Sequence, residues 1–267
     1  MSRPGLIRSS LVALFALAIL CLAAACGSDK TPASATAGPA PTSVYKLDSD
    51  HDGVPDNVDQ CPDQAEDNRW SDTPDGCPDT IVDLINLSVA DIGDFWQRTF
   101  YENGATYRPP SQVLGYTSPI KTGCGPAEME NAFYCSLDRG IYYDSTFLQS
   151  YLDNTGDFAV AFIIAHEWGH LVQDLIGTLH NQANIDKELQ ADCLAGVWTA
   201  DADSRQILEA GDITEAIIAL LSVGDPLDTP MFAPDAHGTP GLRIDAFDRG
   251  ELQGLDGCFQ SLRSSVR

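Results

Sequence analysis

Basic residues are scarce in this chain: 15 Lys and Arg stand against 39 Asp and Glu, a formal charge of −24. A surface that acidic repels phosphate backbones, which excludes nucleic acid as a partner. Long apolar runs are nearly absent too. The one candidate, Leu11–Leu22, is shorter than the ~20 residues that span a bilayer, and it ends in Ala23-Ala24-Ala25-Cys26-Gly27. With Arg3 and Arg8 ahead of it, the stretch reads as a signal peptide over residues 1–25, so the chain is expected to be exported. Cys26 stands where a lipidated first residue would, which would anchor the mature chain at the outer face of the cell membrane. The leucine usual three positions before such a cysteine is Ala23 here, so a secreted, released chain is the alternative. There is no internal repeat. Histidine is also rare, with five in the chain, so any two at a meaningful spacing carry information.

The acidic residues are clustered. Residues 48–79 hold eleven Asp or Glu and one Arg, which points to a cation rather than a diffusely acidic surface. Ahead of them residues 26–47, rich in Ala, Ser, Thr, Pro and Gly, predict a flexible linker after the lipidated cysteine. Asp48, Asp50 and Asp52 alternate before Gly53, with Asp56 and Asp59 following, and hard oxygens around a tight turn suit Ca²⁺. An EF-hand would need a terminal glutamate, which is missing. The D-x-D-x-D-G-x-x-D-x-x-D-x-C-P run ending at Cys61-Pro62 resembles a thrombospondin type 3 repeat. The resemblance implies a small irregular calcium-binding module over 48–79. Asp48, Asp50, Asp52, Asp56, Asp59 and the Val54 carbonyl would hold the ion, and Asp75-Gly76-Cys77-Pro78-Asp79 would close the unit.

With Cys21 in the signal and Cys26 lipidated, six cysteines remain, an even number suited to an oxidising compartment. Fifteen connectivities are open to them. The near-neighbour choice pairs Cys61 with Cys77 and Cys124 with Cys135, leaving Cys193 for Cys258.

From residue 80 to 267 the pattern predicts one α+β domain, mainly helical, with a small β-hairpin or sheet. Apolar spacing supports a helix over Val89–Tyr101, and residues 102–123 read as loop and short extended pieces. Phe133–Ser136 and Ile141–Asp144 form a hairpin about Leu137-Asp138-Arg139-Gly140. A short helix follows at Ser145–Leu152. Next comes a helix apolar nearly all round, capped by the Asn154–Asp157 turn, starting at Phe158 and ended by Gly177. Such a helix belongs in a core. Further helices are expected over Ile185–Ala200 and, capped by Asp212 or Thr214, over Thr214–Val223. The tail is otherwise irregular, with a helix-like stretch around Gly241–Gly250.

The apolar helix contains His166-Glu167-Trp168-Gly169-His170. A shuffled chain of this composition would show roughly 0.003 H-E-x-x-H matches. Residues i and i+4 share a helix face, so both imidazoles can reach one metal ion, and Glu167 lies close enough to touch a water on it. A catalytic zinc site expects a third protein ligand and an open position. A metzincin would have Gly at 173 and His at 176; the chain has Gln173 and Ile176. His180 falls just past the helix end without a supporting motif. Glu188 opens the next helix and shares a face with Asp192, so Glu188 can bind zinc while Asp192 accepts the far N–H of a ligating histidine. This arrangement is similar to that of gluzincins.

His166–His170, Glu188-Leu-Gln-Ala-Asp192-Cys-Leu-Ala-Gly-Val-Trp198, Ala132–Cys135 and His237-Gly238 together resemble the neutral zinc metallopeptidase family of bacteria. The likeness covers roughly residues 80–262 and implies a zincin-like fold and a peptide or protein substrate. After His237 the family often carries Ser-Ser, where this chain has Thr239-Pro240. In the mechanism so implied, Glu167 is the general base, and the oxyanion donor is His237 or, failing that, Tyr142 or Tyr143. Gly169 is expected to permit close helix packing, Trp168 and Trp198 to be core, and the hairpin edge to receive an extended peptide. The competing readings are a non-catalytic cell-surface binding protein stabilised by zinc and calcium, and a hydrolase acting on cell-wall peptides or amides.

Overall fold

The structure is a computed structural model that describes residues 47–65, 76–77, 80–234 and 236–264, with side chains as far as residue 259. The stretch read as a signal peptide, Cys26 and nearly all of the expected linker therefore lie outside the described residues, as does most of the 66–79 end of the acidic stretch. The described residues fall within one unit, Lys46–Arg267.

Helix α1 (Ile81–Glu102) begins eight residues before the expected Val89, because Thr80 and Asp83 form a reciprocal capping box at its start. Its apolar positions Leu84, Ile85, Ile92, Phe95, Trp96 and Phe100 are buried in the core. Five short strands follow: β1 (Gln112–Tyr116), β2 (Lys121–Thr122), β3 (Gly125–Pro126), β4 (Ala132–Cys135) and β5 (Gly140–Asp144). The expected hairpin is present as β4–β5, closed by Asp138, whose Oδ1 accepts from Gly140 N–H. The stretch read as loop and short extended pieces holds β1, which pairs parallel to β5 and makes a three-stranded sheet in the order β1-β5-β4. Among the described residues no strand pairs with the other edge of β4.

The helices α2 (Ser145–Asn154), α3 (Asp157–Leu175), α4 (Asn184–Ser204), α5 (Asp212–Val223) and α6 (Pro240–Ser264) complete the fold. α3 is buried along almost its whole length, as its all-round apolarity requires. Its N-cap is Gly156, which has no side chain to cap it; Phe158 N–H is accepted both by Asp157 of the expected turn and by Glu215 of α5, each at 3.0 Å. α5 likewise has Gly211 at its cap and no side-chain cap bond, where Asp212 or Thr214 was expected. The tail is the larger departure, since α6 runs far beyond the expected 241–250. It packs so tightly on α4 that a Cβ at Gly250 would lie 1.9 Å from the Cys193 carbonyl. Trp168 and Trp198 are core, 2 % and 0 % exposed, with their indole N–H groups donated to the Tyr107 hydroxyl and to Asp91. Among the described residues no helix is long and apolar enough to cross a membrane.

Three disulfides are present: Cys61–Cys77, Cys124–Cys135 and Cys193–Cys258. They are the near-neighbour pairing. The second ties the β2–β3 ribbon to the end of β4, and the third ties α6 to α4.

Candidate metal centre

α3 and α4 cross closely because position 169 is glycine; a Cβ there would stand 2.9 Å from both the Cα and the carbonyl oxygen of Ala191. This contact brings Glu188 of α4 over the face of α3 that carries the two histidines. One donor atom each from His166, His170 and Glu188 lies within 4.8 Å of the others. His166 Nε2 is 3.3 Å from Glu188 Oε2, and His170 Nε2 is 3.5 Å from Glu188 Oε1. Two imidazole nitrogens and a carboxylate facing a cleft are the donor set of a catalytic zinc site.

The backs of both rings are engaged. His166 Nδ1–H donates to Asp192 Oδ1 at 2.8 Å, and His170 Nδ1–H donates to Gln173 Oε1 at 2.9 Å. That fixes both rings with Nε2 toward Glu188, the orientation a ligand needs. Asp192 is fully buried and is held in turn by Arg243 of α6, from Nε to Oδ2 and from Nη2 to Oδ1, each at 2.8 Å. Sequence reading missed Arg243. It lies 51 positions from Asp192 and belongs to no motif. Gln173 was noted only as the place where a metzincin glycine is absent; its amide in fact holds His170.

Burial alone would lower His166, but the charge and hydrogen bond of Asp192, with Glu188 and Glu167 adding, push it up to about 10. Burial would raise Glu188, but His170 and His166 hold it well below the usual carboxylate range. Asp192 is lowered, Arg243 outweighing its burial. Glu167 is pushed up to about 7, chiefly by burial. Its Oε2 accepts from Tyr134 N–H at 2.9 Å, on the open edge of β4.

The cleft over these groups is about 500 Å³ and has an apolar wall of Phe133, Phe147, Phe162 and Val223. His237 lines it, half-exposed, with Asp225 accepting from its backbone N–H and lying 3.7 Å from its Nδ1. Tyr142 and Tyr143 do not line it. The Tyr142 hydroxyl is occupied by Asp138 and Gln112 within a separate small core, and Tyr143 faces a second cleft behind Trp168. His180 is at the rim, 4.0 Å from Asp174 and outside the triad.

In the acidic module Asp48, Asp50 and Asp52 have donor oxygens within 4.8 Å of one another. Asp56 lies outside this triad and accepts from the Ser49 N–H and hydroxyl, much as Asp48 accepts from His51 N–H and Gly53 N–H. Asp59 accepts from Cys61 N–H through Oδ1, while Oδ2 of Asp59 and Oδ2 of Asp50 are buried atoms with no hydrogen-bond partner among the described residues. Two orphaned carboxylate oxygens beside a triad are what a hard cation would satisfy. His51 is exposed in a left-handed turn, φ 69°.

The family model described as "Putative neutral zinc metallopeptidase" matches residues 44–258. Among curated proteins, the uncharacterized protein YpfJ of Escherichia coli K12 is 34% identical over 196 residues, covering 64% of this chain and 68% of that protein. The uncharacterized protein Rv2575 of Mycobacterium tuberculosis H37Rv is 36% identical over 143 residues, 42% of this chain and 49% of that one. No solved structure matches. The match spans the helices that bring His166, His170 and Glu188 together, and the chain belongs to this zinc metallopeptidase family.

Proposed function

We propose that the protein is an exported zinc metallopeptidase that hydrolyses peptide bonds, with a zincin-like domain behind a small calcium module. One observation carries the reading: three donors of zinc-ligand type converge within 4.8 Å beside the Glu167 carboxylate, in a cleft bounded by an open strand edge. His166, His170 and Glu188 would hold the ion, with Asp192 behind His166. Zinc, when bound, supplies a Lewis acid that polarises a carbonyl and makes water more acidic.

The rest of the chemistry belongs to the chain. Tyr134 N–H holds Glu167 Oε2, which leaves Oε1 to take the proton of the attacking water and pass it to the leaving amine. β4 offers its open edge to an extended peptide, and the apolar wall of Phe133, Phe147 and Phe162 offers a place for a side chain. His237, on the rim, supplies a donor for the developing oxyanion. Asp48, Asp50, Asp52, Asp56 and Asp59, with the Val54 carbonyl, would take Ca²⁺. The disulfides fit an oxidising compartment, and Cys26 would anchor the chain at the outer face of the membrane.

Glu167→Gln decides between a peptidase and a binding protein. In digests of a peptide library and of peptidoglycan fragments, with and without chelator, the variant should keep about one zinc per chain and lose hydrolysis by at least ~100-fold. Hydrolysis surviving the substitution would sink the mechanism, and cleavage of peptidoglycan fragments alone would reassign the substrate. Calcium should raise the melting temperature of the full chain, and Asp50→Asn should shrink that rise. An identical melt in calcium and in a calcium chelator would return residues 48–79 to a linker.

A further inference from the structure

Two chains of hydrogen bonds leave the backs of the histidines, and both end on α6. From His166 Nδ1 the first passes to Asp192 at 2.8 Å and on to Arg243, which binds both Asp192 oxygens at 2.8 Å. From His170 Nδ1 the second passes to Gln173 Oε1 at 2.9 Å. It runs on from Gln173 Nε2 to Gln190 Oε1 at 3.1 Å, and from Gln190 Nε2 to the Cys258 carbonyl at 3.3 Å. The relays are buried throughout: Gln173 and Asp192 are 0 % exposed, Arg243 3 % and Gln190 5 %. Cys258, where the second chain ends, is bonded to Cys193, the residue after Asp192. Between the two anchor points α6 breaks at Gly254, whose φ of 61° and ψ of −154° only glycine adopts readily. The break divides α6 into a segment carrying Arg243 and a segment carrying Cys258.

We propose that α6 is the positioning element for both imidazoles, with Arg243 and the Cys258 carbonyl as its contacts and the Cys193–Cys258 disulfide as the clamp that holds it in place. The proposal rests on reading His166 and His170 as zinc ligands. The two branches work differently. Arg243 holds both oxygens of the buried Asp192 carboxylate, so without it the carboxylate loses the contacts that fix its orientation and can rotate away from His166. The His170 branch is neutral, but Gln173 uses both ends of its amide, donating also to the Lys187 carbonyl at 2.7 Å. It cannot turn over without losing partners at each end, so the ring stays oriented.

The test is zinc affinity of the full chain by chelator competition, with the visible spectrum of the cobalt-substituted protein as a readout of ligand geometry. Arg243→Met and Gln173→Met should each weaken zinc by about 10–100-fold and change the cobalt bands. Arg243→Lys should recover part of the loss, since an ammonium neutralises Asp192 but cannot hold both its oxygens. Arg243→Met should add little to Asp192→Asn, because the two act along one route. A Cys193→Ser/Cys258→Ser chain should lose affinity in the same direction. Wild-type affinity and an unchanged cobalt spectrum in Arg243→Met and Gln173→Met would overturn the proposal, as would full additivity of Arg243→Met with Asp192→Asn. If Arg243→Met does not fold, Arg243→Lys and Gln173→Met decide the matter by the same readings. A wild-type chain that binds no zinc would overturn the metal centre along with the proposal, whereas insensitive variants of a zinc-binding chain overturn the proposal alone.

Discussion

At its N-terminal end α3 brings Asp157 against Asp212 and Glu215 of α5; farther along it brings His166 and His170 against Glu188 of α4. In both clusters three potential ligand atoms lie within 4.8 Å. Their surroundings differ. The histidine cluster mixes donor types, has a buried arginine behind it, and holds Glu188 well below the usual carboxylate range. The acidic cluster has Asp153 and Glu209 around it and no cation lining its cleft. Its oxygens are spent on backbone: Glu215 accepts from Phe158 N–H and Asp212 from Glu209 N–H. Burial, together with the Asp157 charge, pushes Asp212 and Glu215 up to about 6. Nearness of donors is therefore not what marks a metal centre. The His166, His170 and Glu188 donors are oriented from behind by Asp192, Gln173 and Arg243, whereas Asp212 and Glu215 are engaged with backbone N–H groups at the helix ends.

Zinc titration of two variants is the hardest blow that can be dealt to this contrast. Glu188→Ala should weaken zinc beyond the ~100-fold typical of an outer partner, while Asp212→Asn should leave stoichiometry and affinity unchanged. Equal losses would erase the distinction. Gly169→Val comes next, since its side chain must push Ala191 and α4 away from α3 at a cost of about 1–3 kcal/mol. It should lower the melting temperature by several degrees and weaken zinc, yet leave the α3–α5 end alone; intact zinc affinity would show that the crossing does not set the site. The smallest effect is in the pH dependence. Asp212 and Glu215 hold protons more tightly folded than unfolded. Their contribution to stability is present below their unfolded values of 3.8 and 4.5 and is lost as pH rises through about 6. An Asp212→Asn/Glu215→Gln chain should show a flatter melting-temperature profile over that window than wild type, and superimposable profiles would remove the proton-holding role.

What could be read from the sequence was whatever is written in short-range spacing. The i, i+4 histidines, the Glu188/Asp192 face, the 133–144 hairpin and the Cys61–Cys77 and Cys124–Cys135 disulfides all express local periodicity or adjacency. What could not be read depends on partners far apart in the chain. Glu215 caps α3 from 57 residues away, and Arg243 reaches Asp192 across 51. Tyr134 meets Glu167 through its backbone N–H, a group every non-proline residue has. β1 gave no sign of its partner because a parallel pairing has no turn to announce it. Gln173 was conspicuous only as a missing glycine, although an amide at that position, one turn after His170, is itself a hydrogen-bonding signal.

α6 closes onto partners that precede it far back in the chain. Arg243 stands 77 residues after His166, and Cys258 stands 65 after Cys193. Contacts over such separations pay their loop-closure entropy before they return anything. α6 is also the last of these elements in chain order. The H-E-x-x-H helix thus precedes in the chain the helix that supplies Arg243 and the Cys258 carbonyl behind its two imidazoles, so those buried contacts form only once the C-terminal segment has been made.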